Sequence, residues 1–389
     1  MYYTGFADEA SVGLAGQIKA TKELGWQCIE SRAIDGVNIH DLSEEAFARA
    51  AGMLEDSGVR INCFGSAVAN WSWSALKEED FQKTREQLSR ALVRMKRLNC
   101  TMLRGMSFRA EWNRPAFDPE VEKNVFRKVN ELVRMCEEAG VLYLHENCNN
   151  YGGMSWKHTL KLLDHVKSPN FKLVFDTGNP VINFDRSNGD ALEHVQSSWE
   201  FYSHVKEFIY YVHIKDGKFI GRGENGFAKA EFTFPGEGEG DVARIVEDLL
   251  RNGYDGGFSM EPHMKLVFHE ENAAQNAVER IRRCRAVSEL CRIRSAFHEA
   301  RRRHQGKVRQ MIHLPTTRRR PVEKPGAFLF RGAPDYCLTP DEPGPVPRRN
   351  GTPQDDSVRG DTAKNPLSRR MRWNFYLHFS ALKLYSSDR

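Results

Sequence analysis

Eight short runs rich in β-branched and aromatic residues recur along the first 290 residues, each separated from the next by a longer amphipathic stretch. The runs lie near 2–7, 27–31, 59–65, 101–106, 141–146, 171–176, 209–214 and 257–261. Strict alternation of strand and helix predicts a parallel sheet, because a parallel pair needs a long crossover between its strands. Eight such units in about 290 residues match an α/β (β/α)8 TIM barrel, whose usual length is ~250 residues plus insertions. An open doubly wound sheet is the alternative, but no GxGxxG follows the first run, which weakens its dinucleotide-binding version.

The stretches between the runs carry helix signals. In EVEKNVFRKVNELVRMCEEAG, Val125, Leu132, Val133 and Cys136 share one stripe at helical spacing. Gly25, Gly58, Gly140 and Gly253 each stand where a helix should stop before the next strand, as a left-handed C-terminal cap requires. Asp241 is expected as the N-cap of a helix whose Val242, Ile245 and Leu249 face inward. Long connections at 107–120, 177–198 and 216–240 read as loops after the fourth, sixth and seventh strands, on the face where barrel enzymes build their sites.

Charge divides the chain. Its net +5 combines +12 in residues 291–389 with −7 in the rest, and ten of the sixteen prolines lie beyond residue 290. The expected organisation is therefore an acidic barrel over 1–295 and a disordered, basic, Pro-rich extension over 296–389. That extension reads as an atypical segment, from an altered frame or gene end, with no selected function; basic clusters of this kind can also bind nucleic acid or an anionic surface. The apolar stretches are too short for a membrane helix, which takes ~20 residues. The N-terminus lacks the basic-then-apolar pattern of a signal peptide. Eight scattered cysteines without a CxxC pair suit a reduced, cytoplasmic compartment.

Four of the runs end on side chains that can bind a metal: VLYLHEN on Glu146, KLVFDTGN on Asp176, IYYVHIKD on His213 and GGFSMEPH on Glu261. In a barrel these are strands 5 to 8, consecutive around the ring, so the four share one mouth. Three carboxylates and one imidazole favour Mn²⁺, Mg²⁺, Co²⁺ or Zn²⁺ over a thiolate-selected metal. Carboxylates that close would raise one another's pKa, a penalty a divalent cation removes. Glu146 and Glu261 could also act as a catalytic pair, one taking a proton and the other returning it while the metal polarises a carbonyl, or both could be ligands only.

HENCNNYGGMSW, VFDTGNP, YVHIKDG, FPGEGEGDV and FSMEPH, in that order, resemble the sugar phosphate isomerase/epimerase family of the xylose isomerase-like barrel superfamily. The resemblance spans residues 1 to about 290. It implies that Glu146, Asp176, His213 and Glu261 bind one divalent metal and that the two glutamates are the acid/base pair. Ketose 3-epimerases of that superfamily usually carry a histidine where Asn179 stands here, so a substrate contact is altered. A three-zinc endonuclease relative needs extra histidines where this chain has Arg32, Phe64 and Met106, which argues against DNA repair.

Further substrate-binding candidates stand beside the four. Glu30 and Arg32 end the second strand and could bind substrate hydroxyls or a carboxylate, or form an ion pair across the mouth. Asn147 could orient a ligand or form a turn. Lys215 and His263 share the facing of His213 and Glu261 and could reach substrate oxygens. His145 faces the other way and reads as structural, and Asp216 as the start of a loop. Trp71, Trp73 and Trp112 could cover a sugar face or pack the rim. GEGEG looks like a phosphate loop, but its glutamates would repel phosphate, so a turn before a helix is expected.

The sequence thus predicts a metal-dependent sugar isomerase or epimerase acting through a metal-stabilised enediolate. Its expected partner is a small sugar-like molecule, with homo-oligomers left open. A dehydratase or lyase using the same site, and a non-catalytic sugar-binding barrel, are the competing readings.

Overall fold

A computed structural model describes residues 1–224 and 227–263. Among them the eight runs become β1 (Tyr2–Gly5), β2 (Cys28–Ser31), β3 (Arg60–Gly65), β4 (Met102–Gly105), β5 (Leu142–Glu146), β6 (Phe171–Asp176), β7 (Ile209–Ile214) and β8 (Gly257–Met260). Every neighbouring pair is parallel, in the order β1-β8-β7-β6-β5-β4-β3-β2. A parallel bridge between Phe6 and Glu30 joins the two ends, so the sheet is a nearly closed barrel. The expected barrel architecture is therefore present. The place of an eighth helix, the boundary near 295 and the basic extension lie outside the described residues.

Among the described residues the α-helices are α1 (Leu14–Glu23), α2 (Glu44–Ser57), α3 (Glu78–Arg97), α4 (Pro119–Glu138), α5 (Trp156–His165), α6 (Ser198–Val205) and α7 (Val242–Arg251). In α4, Asp118 caps the first turn by accepting from Glu120 N and Val121 N, and Pro119 occupies the position where its missing N–H costs nothing. The predicted stripe of Val125, Leu132, Val133 and Cys136 is buried. Gly25, Gly58, Gly140 and Gly253 have φ of 72°, 71°, 69° and 81°, the left-handed conformation expected of them.

Two expectations need correction. Asp241 does precede α7, but it adopts φ 50° and ψ 27° and its side chain caps nothing. Residues 216–240 are not a plain loop: Gly217–Arg222 pairs antiparallel with Ala228–Phe232. Alternating charges and glycines (KFIGR, AKAEF) hid this hairpin, because neither strand has a run of apolar residues to mark it. A shorter hairpin, Ala33–Ile34 with Val37–Asn38, follows β2.

Strand periodicity positions the site. Leu144, Val174 and Tyr211 form an apolar plug inside the barrel with Cys63. Side chains two residues further along the same strands keep the same facing, so Glu146, Asp176 and His213 stand one layer higher, at the C-terminal mouth. The opposite faces of these strands, including Tyr143, Phe175, Val212 and Ile214, pack outward in the main apolar clusters with the helices. Among the described residues no helix is long and apolar enough to cross a membrane, and the five cysteines are free thiols.

Candidate functional site

The ladder between β6 and β7 aligns Asp176 with His213, and Glu261 N donates to Ile214 O just beyond β8. The four side chains consequently meet, with one donor atom from each lying within 4.8 Å of the others. That spread is about twice a metal–ligand bond of roughly 2.0–2.4 Å, so a common ion needs only small adjustments. All four are buried, with exposures of 1%, 0%, 0% and 4% for Glu146, Asp176, His213 and Glu261.

His213 is the centre. Its Nδ1 lies 3.4 Å from Glu146 Oε1, 3.5 Å from Glu261 Oε2 and 4.0 Å from Asp176 Oδ2. Its Nε2 lies 3.1 Å from Glu30 Oε2. A carboxylate is an acceptor only, so Glu30 fixes a proton on Nε2 and leaves Nδ1 facing the other three acids. Outer-shell carboxylates orient metal-binding histidines in this way. Phe6 packs its ring edge-on to the imidazole at 5.1 Å.

The mouth holds fixed cations as well. Arg104 Nη1 contacts Glu146 Oε2 at 3.1 Å and its Nη2 donates to Ser66 O. Lys215 Nζ lies 2.9 Å from Asp176 Oδ2 and 3.4 Å from Glu261 Oε2. Arg32 bridges Asp8, Glu9 and Glu261, at 2.8, 3.2 and 3.3 Å.

Proton affinities follow from these contacts. Burial alone would raise the Glu146 carboxyl, but Arg104 and His213 outweigh it and bring it down to about 2. Glu261 is likewise pulled well below the usual carboxylate range, against burial, by Lys215, His213 and His263. Asp176 goes the other way, to about 6, because burial dominates and Lys215 offsets only part of it. His213, despite burial, is pushed well above the usual imidazole range by Glu30, Glu146 and Glu261.

Asp176 provides the sharpest test of fit for a metal. Its Oδ1 accepts from Gly178 N and Asn179 N at 2.8 and 2.7 Å, which fixes the carboxylate. Its Oδ2 is buried and has no hydrogen-bond partner; the Lys215 contact is an ion pair without hydrogen-bond alignment. An immobilised carboxylate with one orphaned oxygen, aimed at two glutamates and an imidazole, fits a hard or borderline divalent ion.

The remaining sequence candidates fall in distinct places. Asn147 uses both ends of its amide on the backbone of Asp176, accepting from its N at 2.7 Å and donating to its O at 3.0 Å. Asn179 donates to Glu146 Oε1 at 3.2 Å. His263 Nε2 lies 3.4 Å from Glu261 Oε1. Glu30 is buried behind His213 rather than at an open mouth. His145 sits on the outer face, 2.9 Å from Ser107 Oγ, with burial lowering its pKa to about 4. Trp112 donates to Asn149 and packs edge-on to Phe227 of the hairpin, Trp73 packs on the core, and Trp71 is exposed. Phe64 and Met106 are fully buried apolar side chains and supply no ligand.

Arg104, Glu9 and Phe6 were not singled out in the sequence. Arg104 alone left a signal, a cation inside the apolar run TMLRGM.

A parallel eight-stranded barrel with a carboxylate–imidazole cluster at its C-terminal mouth defines a TIM barrel equipped to hold a metal ion. The chain belongs to the xylose isomerase-like TIM barrel family, whose profile matches residues 18–284. Solved structures share the fold at low identity. A probable 3-DHS dehydratase, AsbF, involved in petrobactin synthesis from Bacillus anthracis, is 15% identical with a TM-score of 0.52, over 72% of this chain and 98% of that one. A D-psicose 3-epimerase with D-tagatose from Clostridium cellulolyticum H10 is 15% identical with a TM-score of 0.51, over 75% and 99%. A xylose isomerase-like TIM barrel protein from Mycobacterium smegmatis in complex with magnesium is 18% identical with a TM-score of 0.50, over 69% and 87%.

Proposed function

We propose that this chain is a divalent-metal-dependent isomerase or epimerase of a small sugar or sugar-derived carbonyl compound. The observation that carries the reading is the convergence of Glu146, Asp176, His213 and Glu261, with Glu30 locking the histidine ring from behind. Mn²⁺, Mg²⁺, Co²⁺ or Zn²⁺ held there would draw electron density from a carbonyl and its neighbouring hydroxyl.

The chain's own residues handle the proton. Glu146 and Glu261 come from strands three places apart around the ring and would face a bound substrate from two sides. One carboxylate takes the proton from the carbon beside the carbonyl, and the bond's electron pair moves to the carbonyl oxygen. In isomerisation the glutamate that took the proton gives it back at the neighbouring carbon. In epimerisation the other glutamate first takes a proton from solvent and delivers it to the opposite face of the carbon, which leaves it ionised again. Arg104 and Asn179 hold Glu146, while Arg32 and His263 hold Glu261, so each base is fixed before substrate arrives.

Lys215 favours a second reading, dehydration. Its ammonium lies among the donors and could protonate a departing hydroxyl once the carbon-bound proton has been removed. Solvent-deuterium incorporation into a panel of ketoses by the metal-loaded chain tests both. Exchange without water loss supports isomerisation, and an unsaturated product supports dehydration. No exchange with any of the four metals rejects the proposal.

A further inference from the structure

Just beyond β7 the carboxylate of Asp216 is buried and gathers four backbone N–H groups. Its Oδ1 accepts from Gly217 N and Gly240 N at 2.9 and 2.8 Å, and its Oδ2 from Gly236 N and Gly238 N at 2.8 and 3.0 Å. Only glycine allows so close a wrap: a Cβ on Gly238 would collide with Asp216 Oδ1, and one on Gly240 would lie 2.8 Å from it. Gly217 opens the hairpin, and residues 236–240 follow its return strand. Backbone bonds complete the knot, Thr233 N donating to Asp216 O at 3.1 Å and Glu239 N to Gly217 O at 2.8 Å. One ionisable side chain thus fastens both legs of the hairpin through bonds of the stronger, charge-assisted kind.

Two side chains placed by this knot reach Glu261. Lys215 is the residue before Asp216, and its backbone is pinned by Thr177, whose Oγ1 accepts from Lys215 N at 3.1 Å and donates to Lys215 O at 2.6 Å. Lys215 Nζ lies 3.4 Å from Glu261 Oε2. Phe232 stands opposite Gly217 at the root of the hairpin, and its ring packs on the His263 imidazole with centroids 4.5 Å and planes 31° apart. His263 holds φ 48°, a left-handed conformation that a residue other than glycine keeps only where its surroundings impose it. Its N–H donates to Glu9 Oε2 at 2.9 Å, and its Nε2 lies 3.4 Å from Glu261 Oε1. Each oxygen of Glu261 therefore faces a group set by the hairpin root.

We infer that Asp216 is a positioning residue for Glu261, acting through Lys215 on one carboxylate oxygen and through Phe232 and His263 on the other. Asp216 acts at a remove, because its own oxygens are occupied by the four N–H groups. The consequence for turnover rests on the reading of Glu261 as a proton-transferring base, given above. Misplacing such a group by ~1 Å can cost about 10²-fold in rate. An amide in place of the Asp216 carboxylate keeps one accepting oxygen but turns an NH₂ group toward two N–H donors, so half of the knot is lost.

NMR of the full-length chain with isotope-labelled histidine reads the placement of His263 without any turnover. His263→Gln assigns its ring signals, and Phe232→Leu gives their position without the ring current of Phe232. Asp216→Asn should move the His263 signals toward that position. Gly240→Ala, which pushes the turn off Asp216, should do the same and decides the matter if Asp216→Asn does not fold. Solvent-deuterium exchange into D-fructose and D-ribulose, with Mg²⁺ present, then reads the effect on Glu261. In Asp216→Asn kcat should fall about 10²-fold while KM changes much less. Signals left at their wild-type positions in a folded variant overturn the inference. Shifted signals with kcat unchanged overturn it too, since Asp216 would then hold the hairpin alone. Absence of exchange in the wild type rejects the isomerase reading, and the His263 signals still decide the placement.

Discussion

The two halves of the barrel contribute differently to its mouth. Strands β5 to β8 supply the four donors, Glu146, Asp176, His213 and Glu261, whereas β1 to β4 and their loops supply Phe6, Glu30, Arg32 and Arg104, which orient and neutralise them. The later half supplies the candidate metal ligands together with Lys215, and the earlier half sets Glu30, Arg32 and Arg104 against them. A site of this kind depends on closure of the ring, since Glu30 reaches His213 across 183 residues of sequence and Arg32 reaches Glu261 across 229.

That division can be broken from either side. Glu146→Gln or Glu261→Gln should lower kcat by about 10²–10⁴-fold, the range for losing a general acid or base, while the circular dichroism spectrum is unchanged. Arg104→Met, in the earlier half, should act first on stability. It leaves Glu146 buried beside fewer cations, at a cost of about 3 kcal/mol in the presence of chelator. Saturating metal should recover much of this loss, a difference read directly from urea unfolding with and without Mn²⁺. If the loss is the same in both conditions, Arg104 is structural and not part of the site's charge balance.

Glu30→Gln sharpens the comparison further. An amide can still fill the space but no longer fixes the His213 proton as a carboxylate does, so metal affinity should fall by about 10–100-fold with the fold intact. Unchanged affinity by calorimetry would reduce Glu30 to packing.

A smaller effect separates His213 at the mouth from two buried histidines away from it, His145 on the outer face of β5 and His158 on α5. Burial holds His145 and His158 neutral, with pKa values of about 4, below their unfolded values. Unfolding therefore takes up protons below pH ~6.5, and the stability these groups contribute is present above that pH and lost as pH falls through about 4. Replacing His158 with Gln should flatten the decline in unfolding free energy between pH 6.5 and 4. An unaltered slope would mean His158 is not held neutral.

These contrasts also explain what could be read from the sequence. The donors were legible because each ends an apolar run and the alternation of eight units fixes where strand ends meet. The helix stops were legible at Gly25, Gly58, Gly140 and Gly253, where a left-handed φ leaves a residue-type signature. The partners were not. Glu30 was noticed at a strand end, but its role depends on which strand lies across the ring, and Asn147 looks like a turn residue until Asp176 is aligned beside it. The 217–232 hairpin was missed because its strands pair with each other and bury little, so no apolar run marks them. In sequence Asp216 reads as a loop start; the four N–H groups it gathers belong to Gly217, Gly236, Gly238 and Gly240, up to 24 residues away.

One metal centre formed by four side chains from β5 to β8 is the proposal on which the rest depends. The most direct test is divalent-metal content of the full chain with its melting temperature before and after chelation, wild type beside Asp176→Asn. About one ion per chain, with a chelator-sensitive melting shift that the variant loses, is the predicted result. No bound ion and no shift with Mn²⁺, Mg²⁺, Co²⁺ or Zn²⁺ would contradict it and leave the cluster as a buried ion-pair network held by Lys215 and Arg104.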